Sequence, residues 1–307
     1  MGDMIRIPLG DWVNTFITWF IDVLGGFFDV LSSIFEAMYD GVEWVFLTPP
    51  FWVVIIVVAA IAWLAKGWKL AVGSIIGLLL IGAVDQWDNA MQTVALTIVA
   101  VVIAIVIAIP IGIWAARSQA VSATVRPILD FLQTMPAFVY LIPAIFLFGV
   151  GVVPGMVATI LFAVAPGVRL TELGIRGVDP EVVEAGNAFG ATPGRILRQI
   201  QLPLAMPSIM AGVNQVIMLA LSMAVIASMV GGPGLGKDII QALNSTDIAL
   251  GVEAGLAVVI IAMILDRITS GFGSAQRSRR RGARVVDAAA DDTAAAEAST
   301  AGAPAAV

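Results

Sequence analysis

Residues 176–203 read "RGVDPEVVEAGNAFGATPGRILRQIQLP", a polar, proline-punctuated stretch between two long apolar ones. Asp179 stands where it can cap a helix that starts at Pro180, with Glu181 in the first turn. Val182, Val183, Ala185, Ala188 and Phe189 give that helix an apolar side, and Gly190 stops it. Thr192 is placed to cap a second helix with Pro193 at its first position, and "GRILRQIQLP" leads back to apolar sequence. Helix, glycine turn and second helix make a compact knob. A connector lying flat on a surface is equally compatible with these residues.

Working outward, seven apolar stretches surround the loop: residues 51–65, 68–84, 90–116, 129–150, 153–175, 204–230 and 249–268. Each approaches the ~20 residues that cross a bilayer. The first two are short, but Trp52, Trp63 and Trp68 suit the headgroup layers, and Lys66 and Lys69 can extend their stems toward water. Of the 307 residues, 60% are hydrophobic and 12% charged, with a mean hydropathy of +0.99. A soluble domain carries about 25% charged residues. The sequence therefore predicts an all-α polytopic membrane protein of about seven transmembrane helices, with no internal repeat.

Residues 11–47 carry apolar side chains at helical spacing, from Trp12 through Trp19, Phe27, Leu31 and Phe35 to Val42. Asp22, Asp29, Glu36 and Glu43 fall seven apart, forming an acidic stripe opposite that face. This pattern predicts one or two amphipathic helices lying at the interface, broken near Gly25-Gly26, rather than a crossing. Either a docking scaffold or a plain surface anchor fits. The start, "MGDMIRIPLG", lacks the basic-then-apolar order of a cleavable leader.

With the N-terminus outside, seven crossings place 14 of the 16 Lys and Arg residues inside or at the inner boundary, leaving Arg6 and Lys237 outside. Such a bias predicts an N-out, C-in chain. Residues 277–284, "RSRRRGAR", read as a basic stop at the inner leaflet. The segment after them is poor in large apolar residues and is expected to be disordered. The divisions are thus an amphipathic segment at 1–48, two additional helices at 49–86, a five-helix core at 87–270 and a cytoplasmic tail at 271–307.

Several chemistries drop out. With no Cys and no His, the chain has no disulfides, thiol chemistry, imidazole bases or usual zinc sites. The middles of the seven stretches hold no Asp, Glu, Lys, Arg or His, which demotes a proton-coupled carrier; Asp130, Glu172, Glu253 and Asp266 lie near predicted ends. An ion-coupled carrier using carbonyls and hydroxyls remains the alternative. Residues 231–238, "GGPGLGKD", approach a phosphate loop at Gly231, Gly236 and Lys237. An apolar helix precedes them instead of a strand, Asp238 replaces the hydroxyl residue, and the topology puts them outside. A glycine turn is the better reading.

The loop resembles the cytoplasmic motif of bacterial ABC importer permeases: E-A-A, three residues, G, nine residues, I-x-L-P. This chain has Glu184-Ala185-Gly186, then Gly190, then Ile200-Gln201-Leu202-Pro203, departing only at Gly186. Longer stretches, such as "RPILDFLQTMPAFVYLIPAIFLFGVG" and "QLPLAMPSIMAGVNQVIMLALSMAVIASMVGGPGLG", are similar to the glycine betaine/proline branch of ProU and OpuA type. The resemblance covers about residues 10–270 and implies a type I, MetI-like permease core in the bacterial inner membrane.

It further implies two copies of this chain, two ATP-binding subunits that hold the ATP and magnesium, and a separate extracytoplasmic substrate-binding protein. The chain itself would hold no cofactor, catalyse nothing and bind no nucleic acid; membrane lipid is its other partner. Glu184, Ala185, Gly186, Gly190, Ile200, Leu202 and Pro203 are then the expected ATPase-coupling residues. Gly231, Gly232, Gly234 and Gly236 match a "GGLG"-like turn near an outer gate. Candidates for the translocation path are Gln133, Thr134, Phe138, Tyr140, Asn214, Gln215, Met218 and Ser222, with Met223 and Ser228. Phe138 and Tyr140 could offer π-faces to a quaternary ammonium. For each of these residues taken singly, helix packing is the stronger reading. Choline or methionine is the alternative cargo.

Overall fold

The computed structural model describes residues 8–271, and all its regular elements within that range are helical. Three long helices form the centre: α4 (Trp87–Arg117), α7 (Val152–Arg176) and α10 (Leu202–Ser228). Small residues let them approach closely. A Cβ on Gly112 of α4 would stand 2.6 Å from the Thr171 Cβ of α7, and one on Gly167 would stand 2.8 Å from the Ala108 Cβ. Without a hydrophobic force between helices in lipid, such backbone proximity supplies the packing.

Around this centre, α1 (Leu9–Leu47) runs unbroken for 39 residues. The expected break at Gly25-Gly26 is absent: both glycines face open space, and the helix keeps its hydrogen bonds through them. Its second half packs on the core, with Phe28 edge-on to Phe148 at 5.4 Å and Tyr39 buried beside Leu96 and Met156. By length and composition α1 also suffices to cross a membrane, which the acidic stripe had argued against.

Next come α2 (Phe51–Lys66) and α3 (Trp68–Ala83), 16 residues each and joined at Gly67. At 1.5 Å per residue each is about 24 Å long, short of a ~30 Å hydrocarbon core. They pack against each other as a hairpin.

The expected single crossing at 129–150 is replaced by two helices, α5 (Gln119–Thr134) and α6 (Ala137–Phe148), bent by 101°. Met135 precedes Pro136 and takes an extended conformation (ψ 135°), as sterics before proline demand. Only Ser122 and Leu129 of α5 are buried, so it lies along the core. The remaining elements are α8 (Pro180–Ala188), α9 (Pro193–Ile196), a π-helical turn (Leu197–Gln201), α11 (Leu235–Ser245) and α12 (Ile248–Gly271). Thus five described helices reach crossing length, six if the bent pair is one span, and α2 and α3 are apolar but shorter. Arg6 and the basic and low-complexity tail lie outside the described residues.

Candidate functional site

The loop between α7 and α10 folds as a protruding knob. Asp179 caps α8 by accepting from the Glu181 N–H at 3.0 Å. Thr192 makes no such side-chain bond; its carbonyl instead accepts from the N–H groups of Arg195 and Ile196. Gly190 sits between the helices at φ +76°, a conformation that costs a side-chain-bearing residue ~1–2 kcal/mol.

The two halves of the sequence motif meet in space. Gly186 of α8 faces Ile200 of the π-helical turn so closely that an added Cβ would lie 2.7 Å from its Cδ1. Leu202 packs with Ile175, Leu197, Ala205 and Ile209, joining the knob's base to α7 and α10. The π turn has a local cause: Pro203 cannot donate to the Gln199 carbonyl, and the wider ring accommodates the missing bond. Against this anchored base, the tip is bare. No residue of α8 is buried, Phe189 is 93% exposed, and Glu184 is exposed without a partner among the described residues. Arg117, Arg195 and Arg198 border a cavity at its side.

Near the knob, α5 is held to α7 by charge. Glu172, 5% exposed, accepts from Ser122 Oγ at 2.7 Å and from Arg126 at 2.9 Å, and pairs with Arg176 at 3.0 Å. Arg176 also donates to the Ala115 carbonyl at the end of α4, and Arg169 pairs with Asp130. Sequence reasoning saw Glu172 and Asp130 only as end-of-span charges. An amphipathic pattern over 119–134, carrying Arg126 and Asp130, was the available signal for a helix lying along the core.

At the other end of α10, residues 229–236 are locked in place. Leu235 donates its N–H to Thr93 Oγ1 at 2.9 Å, and Gly236 donates to Ser228 Oγ at 3.2 Å. Asp238 accepts from Gln86 and Asn89 at 2.9 and 2.8 Å. The amides of Leu235, Gly236 and Lys237 are therefore already engaged within the protein. Gly231 and Gly234 have positive φ, while Gly232, Gly234 and Gly236 are buried.

The path candidates divide into two sets. Gln215, Met218 and Ser222 share one accessible face of α10, and Gln133, Thr134 and Phe138 lie on the α5–α6 elbow, with Phe138 51% exposed. Met135 of the elbow packs against the cluster that holds Tyr140 and Leu141 of α6 and Met223 and Ala227 of α10. The others are engaged inside the bundle. Tyr140 is 3% exposed beside Phe162, and Met223 belongs to the same cluster. Asn214 ties α10 to α12 by accepting from Thr269 Oγ1 at 2.6 Å and donating to Asp266 at 3.4 Å. Ser228 bonds carbonyls of its own helix as well as receiving Gly236.

A family model described as "Binding-protein-dependent transport system inner membrane component" matches residues 108–282. The chain is 47% identical over 279 residues to the glycine betaine transport system permease protein OpuAB of Bacillus subtilis (strain 168), covering 91% of this chain and 99% of that one. It is 46% identical over 273 residues to the glycine betaine/proline betaine transport system permease protein ProW of Escherichia coli (strain K12), covering 89% and 77%. Among solved structures, the MetNI methionine ABC transporter in an inward-facing conformation matches in fold with a TM-score of 0.55 at 22% identity, over 60% of this chain and 92% of that one.

Proposed function

The chain belongs to the family of binding-protein-dependent transport system inner membrane components, and from that premise we propose that it is the permease subunit of an ATP-driven importer of glycine betaine, proline or related quaternary ammonium osmoprotectants. The observation that carries the coupling role is the knob. Its base is packed into α7 and α10 through Leu202, and Ile200 closes on Gly186 within it, while its tip presents Phe189 and Glu184 exposed. An exposed phenylalanine at the apex of a rigid polar loop is what a cleft in a partner protein would bury.

The subunit holds no cofactor and performs no chemistry. Two copies of it meet two ATP-binding subunits, which carry the ATP and magnesium, and a separate binding protein delivers solute from outside. Its N-terminus faces out and its C-terminus in. Closure of the ATPase pair moves the docked knobs, and their packing into α7 and α10 carries that movement to the helices bordering the path. ATP acts only through its different affinity for the two permease states, since equal binding would shift nothing. The faces formed by Gln215, Met218 and Ser222 and by Gln133, Thr134 and Phe138 border the path. The glycine loop at 231–236 forms the outer gate beneath the binding protein, with Lys237 exposed at its edge.

Reconstitution tests this reading. Proteoliposomes with the chain, its ATPase and the binding protein should accumulate labelled glycine betaine on ATP addition, and omitting the ATPase should abolish uptake. Uptake by the chain alone under a sodium or proton gradient would overturn the proposal.

A further inference from the structure

Between the α2–α3 hairpin, the end of α1 and the flanks of α4 and α12 lies a cleft whose lining residues are all apolar, Val45, Val57, Ile61, Leu78, Val94 and Ile264 among them. It is open to the surroundings, because Val57 is 51% exposed and Ile61 is exposed beside it. Water has no hydrogen-bond partner there, and an empty cleft would forfeit dispersion contacts along its walls. From Val53 to Ile61 the α2 wall of the cleft rises about 12 Å, and what lies at its end selects the occupant.

The end of this fissure at the C-termini of α2 and α12 is charged. A Cβ on Gly271 would stand 2.7 Å from the Ala65 carbonyl oxygen, so the two helix ends touch. Lys66, Lys69 and Arg267 are exposed there, and none is ion-paired with a described carboxylate. Beyond Gly271 the sequence continues into Arg277, Arg279, Arg280, Arg281 and Arg284. Cations beside a bilayer attract anionic headgroups.

We propose that the fissure is a phospholipid site that takes one acyl chain along Val57, Ile61 and Val94 and seats an anionic headgroup on Lys66, Lys69 and Arg267. The lipid would fill the seam between the hairpin and the core, so membrane composition would act on how firmly the hairpin is held.

Because the chain has no cysteine, Val57→Cys supplies a single thiol for a bimane label. The labelled chain, with its ATPase, is placed in phosphatidylcholine nanodiscs containing brominated phosphatidylglycerol or brominated phosphatidylcholine. Both lipids should quench, with half-maximal quenching by phosphatidylglycerol at a several-fold lower mole fraction. Replacing Lys66, Lys69 and Arg267 together by Gln, all at exposed positions, should bring the two curves together. Absence of quenching would mean that protein, such as a second copy, covers the fissure. Equal curves for the parent, or a preference that survives the triple substitution, would equally overturn the proposal.

Discussion

Where α10 ends at Ser228, the chain turns through residues 229–236 with the amides of Leu235 and Gly236 bonded to Thr93 and Ser228 and with Leu235 fully buried. Where α10 begins, at Leu202, the preceding residues stand out as a knob with no buried position in α8. Both loops are rich in glycine and join core helices, yet one is complete within the chain and the other is complete only with a partner. Sensitivity to substitution should therefore be a folding property at the first loop and a coupling property at the second.

Gly236→Ala should break the comparison most severely. Its Cβ would fall 1.9 Å from the Val225 carbonyl oxygen and 2.6 Å from Ser228 Oγ, with backbone on one side and no room on the other. A destabilisation of about 3 kcal/mol is expected, seen as loss of monodisperse protein in detergent. Asp238→Ala should follow, at about 2 kcal/mol, because it removes the shared acceptor of the Gln86 and Asn89 amides. A lowered melting temperature with uptake reduced in proportion to surviving protein would check it.

At the knob the expected magnitudes fall while the functional effects persist. Gly190→Ala meets no atom within 4 Å, so its cost is the positive φ alone, about 1 kcal/mol confined to the loop. The protein should insert and purify normally while ATP-driven uptake drops several-fold. Gly186→Ala is the mildest: a Cβ meets the free end of Ile200, and the gain in helix propensity of up to about 1 kcal/mol offsets the shift. Stability and uptake should stay close to the parent's. A large loss at Gly186 would show the Gly186–Ile200 contact to be tighter than a flexible side chain allows.

The knob was legible because its signals are local: a capping Asp179, Pro180 and Pro193 at helix starts, Gly190 at the turn, and a spaced motif. The apolar stretches likewise announced the helices. What the sequence did not disclose depends on contacts distant along the chain. Thr93 reads as an ordinary hydroxyl and Ser228 as a path candidate until the fold brings Leu235 and Gly236 onto them, and Glu172 reads as a boundary charge until α5 folds against α7. The break at Met135-Pro136 was written in a proline, but the apolar run across it suggested one crossing. Continuity of α1 through Gly25-Gly26 has the opposite cause, since glycine lowers helix propensity without forbidding the helix.

The central claim is that the chain performs no hydrolysis and receives ATP-driven movement through Glu184 and Gly190. The most direct test reconstitutes the Glu184→Ala/Gly190→Ala double variant with its ATPase and binding protein, and follows ATP hydrolysis and glycine betaine uptake in the same vesicles. The account predicts normal insertion of the permease with uptake lost, or with hydrolysis no longer accompanied by transport. Full ATP-driven uptake by that variant would contradict it.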